Sequence, residues 1–97
     1  MIKKKTLTKA ESSAVLFKIL GDTNRFRVLV LLHKSRRGLG VGGIAEALDM
    51  SHSATSHLLA VLVEHDLVVG ERNGREVIYI LAASARARSL VRVLQAV

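Results

Sequence analysis

The sequence predicts a mainly α fold with one small β-hairpin, arranged as a winged helix-turn-helix. Three observations lead there. Residues 41–62 carry two apolar stripes at helical spacing, Ile44/Ala45/Leu48 and Thr55/Leu58/Leu59/Leu62. Only Asp49, Met50 and Ser51 separate them, which leaves room for a tight turn and nothing more, and Ser51 suits the N-cap of the second helix. Residues 67–72 and 75–81 are β-rich runs separated by Asn73-Gly74. Both members of that dipeptide tolerate positive φ, which favours a two-residue hairpin loop. Two short helices joined by a tight turn can place the second in a DNA major groove, and here Arg72 and Arg75 flank the tip of the hairpin that follows.

Composition agrees with one small domain spanning residues 1–97. The formal charge is +7, which favours a polyanionic partner. With no cysteine, a disulfide scaffold, a thiolate metal site and a thiol switch are all excluded, as suits the cytoplasm. No apolar run approaches the ~20 residues of a membrane helix, so no membrane partner is expected. The basic start, Lys3-Lys4-Lys5, imitates a signal peptide, but Glu11 and Lys18 interrupt what would be its apolar core. Residues 1–7 read as a flexible basic tail.

The elements follow in order. Thr8-Lys9-Ala10-Glu11 is a capping box, which opens a first helix. Its apolar residues, Ala14 to Leu20 with only Lys18 between, are too many for one stripe, so it is expected to meet both its own core and a second subunit. Gly21 ends it and Asp22 caps the next helix, on which Phe26, Leu29, Val30 and His33 share a face. His33 reads as a helix-end residue near the negative end of the dipole. Lys34, Arg36 and Arg37 then form a basic cluster before Gly38. Gly40, Gly42 and Gly43 disfavour helix by ~1 kcal/mol each, which places the third helix start no earlier than Gly42 or Gly43. The exposed amides there, at Gly42, could bind a phosphate.

The helix of residues 51–64 is the candidate reader. At about 100° per residue, Ser53, Ser56, His57, Ala60 and Glu64 lie opposite its apolar stripe. Small or hydrogen-bonding groups suit close approach to base edges, whereas Glu64 repels phosphate, so contact fades beyond Ala60. The expected DNA-binding residues are Gly42, Ser51, His52, Ser53, Ser56, His57, Arg72, Asn73 and Arg75. After the hairpin, Ala83, Ala87, Leu90, Leu94 and Val97 recur at spacings of 4, 3, 4 and 3, a seam on a last helix begun near Ser84. A seam so short needs a partner. Val15, Leu16, Ile19 and Leu20 with Ala87, Leu90, Leu94 and Val97 are the expected homodimer interface.

These residues carry a resemblance. The run from Phe17 through Leu20-Gly21-Asp22-Thr23-Asn24-Arg25 to Leu29 resembles the ALGDPTRLRIL signature of ArsR/SmtB-type winged-helix repressors. Ile44-Ala45-Glu46-Ala47-Leu48 and residues 51–62 are similar to that family's LAEALGLSQSTVSHHLKVL, and residues 70–81 to its wing. The likeness spans about residues 10–97, with three motifs in order. It implies a homodimeric, sequence-specific repressor of a palindromic operator.

Departures matter as much. Metal-sensing members carry Leu-Cys-Val-Cys-Asp-Leu where this chain has Leu39-Gly40-Val41-Gly42-Gly43-Ile44. The family's other metal site uses His and carboxylates on the last helix, and no His, Asp or Glu follows Glu76. No metal and no cofactor are expected, and the effector is left open. Asp49 stands where the turn usually has glycine, Thr55 replaces a larger aliphatic, and Leu58 and Ala60 replace His or Gln and Lys or Arg.

Other chemistry finds little footing. There is no nucleophile elbow and no phosphate loop, so an enzyme is not expected. His52 and His57 are five residues apart, about 140° around a helix, and do not share a metal. Three aromatics make no stacking platform for single strands. A winged helix serving as a protein-interaction module or RNA-binding accessory module is the alternative. Steep salt dependence of duplex binding separates it from a DNA reader.

Overall fold

The computed structural model describes residues 9–96. Its elements run α1 (Lys9–Leu20), α2 (Thr23–Lys34), α3 (Val41–Leu48), α4 (His52–Glu64), β1 (Val68–Asn73), β2 (Glu76–Leu81) and α5 (Ala85–Gln95). The expected tail, Thr8 of the capping box, and Val97 of the seam lie outside the described residues.

Local chemistry accounts for most boundaries. The Gly21 N–H donates to the Phe17 carbonyl at 2.9 Å and closes α1. Asp22 Oδ1 accepts from the Arg25 N–H at 3.1 Å and opens α2. Ser51 Oγ accepts from the Ala54 N–H at 3.0 Å, and Ser84 Oγ from the Ala87 N–H at 3.0 Å, so α4 and α5 begin where hydroxyls satisfy otherwise orphan amides. The Ser84 hydroxyl also donates to the Asp66 carbonyl at 2.6 Å, tying the start of α5 to the end of α4.

Both helices of the helix-turn-helix end alike. Asp49 sits at φ 52 and ψ 53, with Met50 N–H donating to the Ala45 carbonyl at 2.9 Å and Asp49 N–H reaching Glu46 at 3.4 Å. Asp66 sits at φ 59, with Leu67 N–H on Leu62 at 3.1 Å and Asp66 N–H on Val63 at 3.0 Å. Each is a Schellman closure with aspartate in the left-handed position that glycine usually takes. The expected cost of Asp49 in that conformation is therefore present twice.

Four expectations need correction. α3 begins at Val41, with Gly40 as a cap lacking a side chain, one or two residues earlier than glycine propensity suggested. Packing against its neighbours outweighs that propensity. α2 buries Val28, Leu29 and Leu32, whereas Phe26, Val30 and His33 are only half-buried. Residues 28–32 are all apolar, so their pattern left the direction of the core open, and contacts with α1, α3, β2 and α5 chose it.

The third correction concerns the hairpin. β1 pairs antiparallel with β2 from Val68↔Leu81 to Asn73↔Glu76, so the loop is Gly74-Arg75 and not Asn73-Gly74. Gly74 has φ +66 and Arg75 is not among the positive-φ residues, the pattern of a loop with glycine first. The hairpin also has a third participant. Leu39 N–H donates to the Tyr79 carbonyl at 3.1 Å and Tyr79 N–H to the Leu39 carbonyl at 2.8 Å. The segment before α3 is thus bonded to the wing.

The fourth concerns the proposed dimer face. Leu16, Ile19, Ala87, Leu90 and Leu94 are no more than 6% exposed within a single chain. They are this protomer's own core, packed with Val28, Leu29, Leu32, Leu59, Leu62 and Leu67. An apolar seam marks burial, and periodicity does not tell an intramolecular partner from an intermolecular one. Val15 and Leu20 remain half-buried, and Phe17 on the same helix is 60% exposed.

Candidate nucleic-acid interface

The geometry of α4 follows from its buried stripe. Thr55, Leu59 and Leu62 are buried, which fixes the helix about its own axis. Ser53, Ser56, His57, Ala60 and Glu64 are then exposed together on the opposite side. Thr55 is the one buried polar side chain of the core among the described residues, and its Oγ1 donates to the Ser51 carbonyl at 2.8 Å. That internal bond lets threonine stand where a larger aliphatic was expected. The start of α4 is therefore held twice, through the Ser51 hydroxyl and through its carbonyl.

A cleft of about 500 Å³ lies between the start of α3, the start of α4 and the wing. It brings together Gly42, His52 and Arg75, three of the expected residues, with Val77 and Tyr79 as its apolar wall. A Cβ built on Gly42 meets nothing within 4 Å, so the backbone there is open to a ligand. The first amides of α3 have no partner within the helix, and they face an anion favourably. The Leu39–Tyr79 pair sets this spacing, because it fastens the approach to α3 directly to β2. Arg72 stands opposite Val77, a cleft residue, so both project from one face of the hairpin.

The other expected residues are distributed differently. Ser51 is exposed, but its Oγ already serves as the helix cap. Asn73 is exposed at the end of β1 in a backbone pair with Glu76, outside the loop. Arg75 alone of the two wing arginines occupies the loop itself. Arg36 and Arg37, also exposed, precede the Leu39 bridge.

Sequence reasoning missed two features. One is the Leu39–Tyr79 pairing, which joins residues forty positions apart in the chain and has no local signature. The other is the start of α2. Asp22, Asn24 and Arg25 share a second cleft of about 510 Å³ with Ser53, Ala54 and His57 of α4. Arg27, one turn on, donates from Nη2 to the Leu48 carbonyl at 2.8 Å and from Nη1 to Asn24 Oδ1 at 3.2 Å, and so covers the C-terminal end of α3. The available signal was an arginine pair off the core stripe of α2, which does not say which neighbour it meets.

Similarity to known proteins bears on this arrangement. Residues 23–72, just over half of the chain, match the IclR helix-turn-helix domain. They hold α2, α3, α4 and most of β1. A transcriptional repressor SmtB homolog of Synechocystis sp. is 39% identical over 77 residues, covering 79% of this chain and 57% of that protein. The HTH-type transcriptional regulator NmtR of Mycobacterium tuberculosis is 48% identical over 54 residues, covering 55% of this chain and 45% of that protein. The chain belongs to the ArsR/SmtB family of winged helix-turn-helix proteins. It spans about half the length of the two curated relatives. In structure, the ArsR/SmtB likeness takes in the helices that the IclR match leaves out. The homodimeric winged helix-turn-helix DNA-binding domain of Mb0332 from Mycobacterium bovis superposes with a TM-score of 0.70 at 28% identity, covering 98% of this chain and 91% of that one.

Among ArsR/SmtB proteins this chain has glycine at the thiolate positions quoted above. Among the described residues no group of three or more His, Cys, Asp or Glu is placed to hold a metal ion. No helix among them is long and apolar enough to cross a membrane.

Proposed function

We propose that the chain is a sequence-specific double-stranded DNA-binding transcriptional regulator, a homodimeric repressor acting in the cytoplasm on a palindromic operator. One observation carries the reading. The exposed side of α4 presents Ser53, Ser56 and His57, while the wing arginine Arg75 and the open start of α3 converge beside it. Short polar side chains reach base edges without filling the groove, and the arginines of the wing neutralise phosphate. The relatives described as transcriptional repressor and regulator support the same reading.

The homodimer in this proposal uses α1 and α5, with Val15 and Leu20 kept from the interface the sequence predicts and Phe17 added to them. The buried seam residues hold the protomer together. Phe17, with half-buried Val15 and Leu20, supplies the apolar surface that a second copy covers. The homodimeric description of the Mb0332 domain supports this assembly. The direct test of function is duplex binding across salt. A reader that neutralises several phosphates weakens by about 0.9 in log K per phosphate for each unit of log salt. Binding to duplex that does not respond to salt would contradict the proposal.

A further inference from the structure

The reading face of α4 has a cleft on each flank. The wing cleft takes His52 from one flank of the helix, and the second cleft takes Ala54 from the other. Ser53 and His57, at the centre of the exposed face, border the second cleft directly. Across from them, at the start of α2, stand Asn24 and Arg25. Arg25 is half-buried, and its guanidinium makes no hydrogen bond or ion pair with another described residue. Asn24 uses its Oδ1 to accept from Arg27, which leaves its amide N–H groups free to donate. Asp22 also lines this cleft, and its Oδ1 is engaged by the Arg25 backbone N–H at the helix start.

A helix seated in the major groove, about 12 Å wide, has a sugar–phosphate strand on each side. Arg72 and Arg75 serve one side only. We infer that Arg25, with the Asn24 amide beside it, contacts the phosphate backbone on the side of the groove opposite the wing. The inference rests on the DNA-binding reading above and extends the interface from α4 and the wing to α2. It also explains why a half-buried guanidinium is left without an acceptor among the described residues. Arginine is the side chain whose fork of donors matches phosphate oxygens. Contacts of this kind fix the orientation of the reading helix and carry no base preference of their own.

The test compares the unaltered protein with Arg25→Gln, Arg25→Lys and Arg75→Gln. Duplex affinity is measured between about 50 and 200 mM salt, the range over which phosphate contacts show most clearly. Thermal unfolding of each variant controls for folding. The expected result is a fall in the salt slope of about 0.9 per protomer for Arg25→Gln, equal on all duplex sequences. Arg25→Lys keeps the slope, because the charge is kept. A folded Arg25→Gln with the unaltered slope, beside a reduced slope for Arg75→Gln, overturns the inference and leaves the DNA reading intact. A loss confined to certain base pairs overturns it as well, since Arg25 would then read bases. If the unaltered protein binds no duplex, the functional reading fails and the inference falls with it.

Discussion

Leu39 and Tyr79 exchange both backbone hydrogen bonds, at 3.1 and 2.8 Å, and so bind the wing to the segment that leads into α3. Gly38 precedes this pair at φ +80, and a Cβ built on it lies 2.5 Å from Ile80 Cγ2 and 2.7 Å from the Tyr79 carbonyl oxygen. A backbone oxygen cannot move aside as a side chain can. Gly38→Ala is therefore expected to lose roughly 2–4 kcal/mol, combining left-handed strain with overpacking. Gly74→Ala, at φ +66 but with nothing within 4 Å, loses only the backbone share, about 1 kcal/mol. Urea unfolding midpoints of the two variants measure the difference.

Asp49 and Asp66 both hold a conformation that costs a non-glycine residue free energy. Asp49→Gly and Asp66→Gly are each expected to raise stability by about 0.5–1 kcal/mol. The Asp49 change leaves the turn between α3 and α4 in place. Arg27→Ala acts in the opposite direction, since it removes a charged donor from the Leu48 carbonyl, and a loss of about 1 kcal/mol is expected at this exposed site. Thermal unfolding at a fixed protein concentration reads all three.

Leu90 has no solvent exposure and Phe17 has 60%, so the same substitution at each separates folding from assembly. Leu90→Glu places an unpaired carboxylate in the core and is expected to unfold the chain. Phe17→Glu is expected to leave a folded protein that sediments as a monomer. A folded dimer for Phe17→Glu would remove α1 from the interface.

Much of this was legible in the sequence, and the limits have physical causes. Asp22, Ser51 and Ser84 announced their helices because a cap is a bond between residues three apart. The exposed face of α4 was legible because the Thr55/Leu59/Leu62 stripe fixes it. The loop was misplaced by one residue, since Asn73-Gly74 and Gly74-Arg75 both put a glycine in the turn and only strand pairing chooses between them. The dimer seam was misassigned because Leu90 and Leu94 look the same whether a core or a second subunit buries them. Leu39–Tyr79 and the cleft at Arg25 arise from contacts between distant segments, which no local pattern records.

The chain is expected not to release DNA in response to micromolar zinc, nickel or arsenite. Cysteine is absent, and Gly40, Gly42 and Gly43 stand at the thiolate region. Titration of a protein–duplex complex with each ion, against a chelator control, checks this. Saturable, stoichiometric release by one of the ions would mean that a binding site exists elsewhere.

Alanine at Ser56 or His57 is expected to cost about 1–3 kcal/mol on the preferred duplex and to relax base choice at defined positions. The most direct measurement of the central claim is selection of bound duplexes from a random pool, with the unaltered protein and with His57→Ala. The account predicts enrichment of a palindrome whose half-site centres lie about one helical turn apart or slightly more, with His57→Ala losing preference at the same position in each half. A pool that shows no enrichment, or whose enriched site is unchanged by His57→Ala and by Ser56→Ala, would contradict the assignment of α4 as the reader.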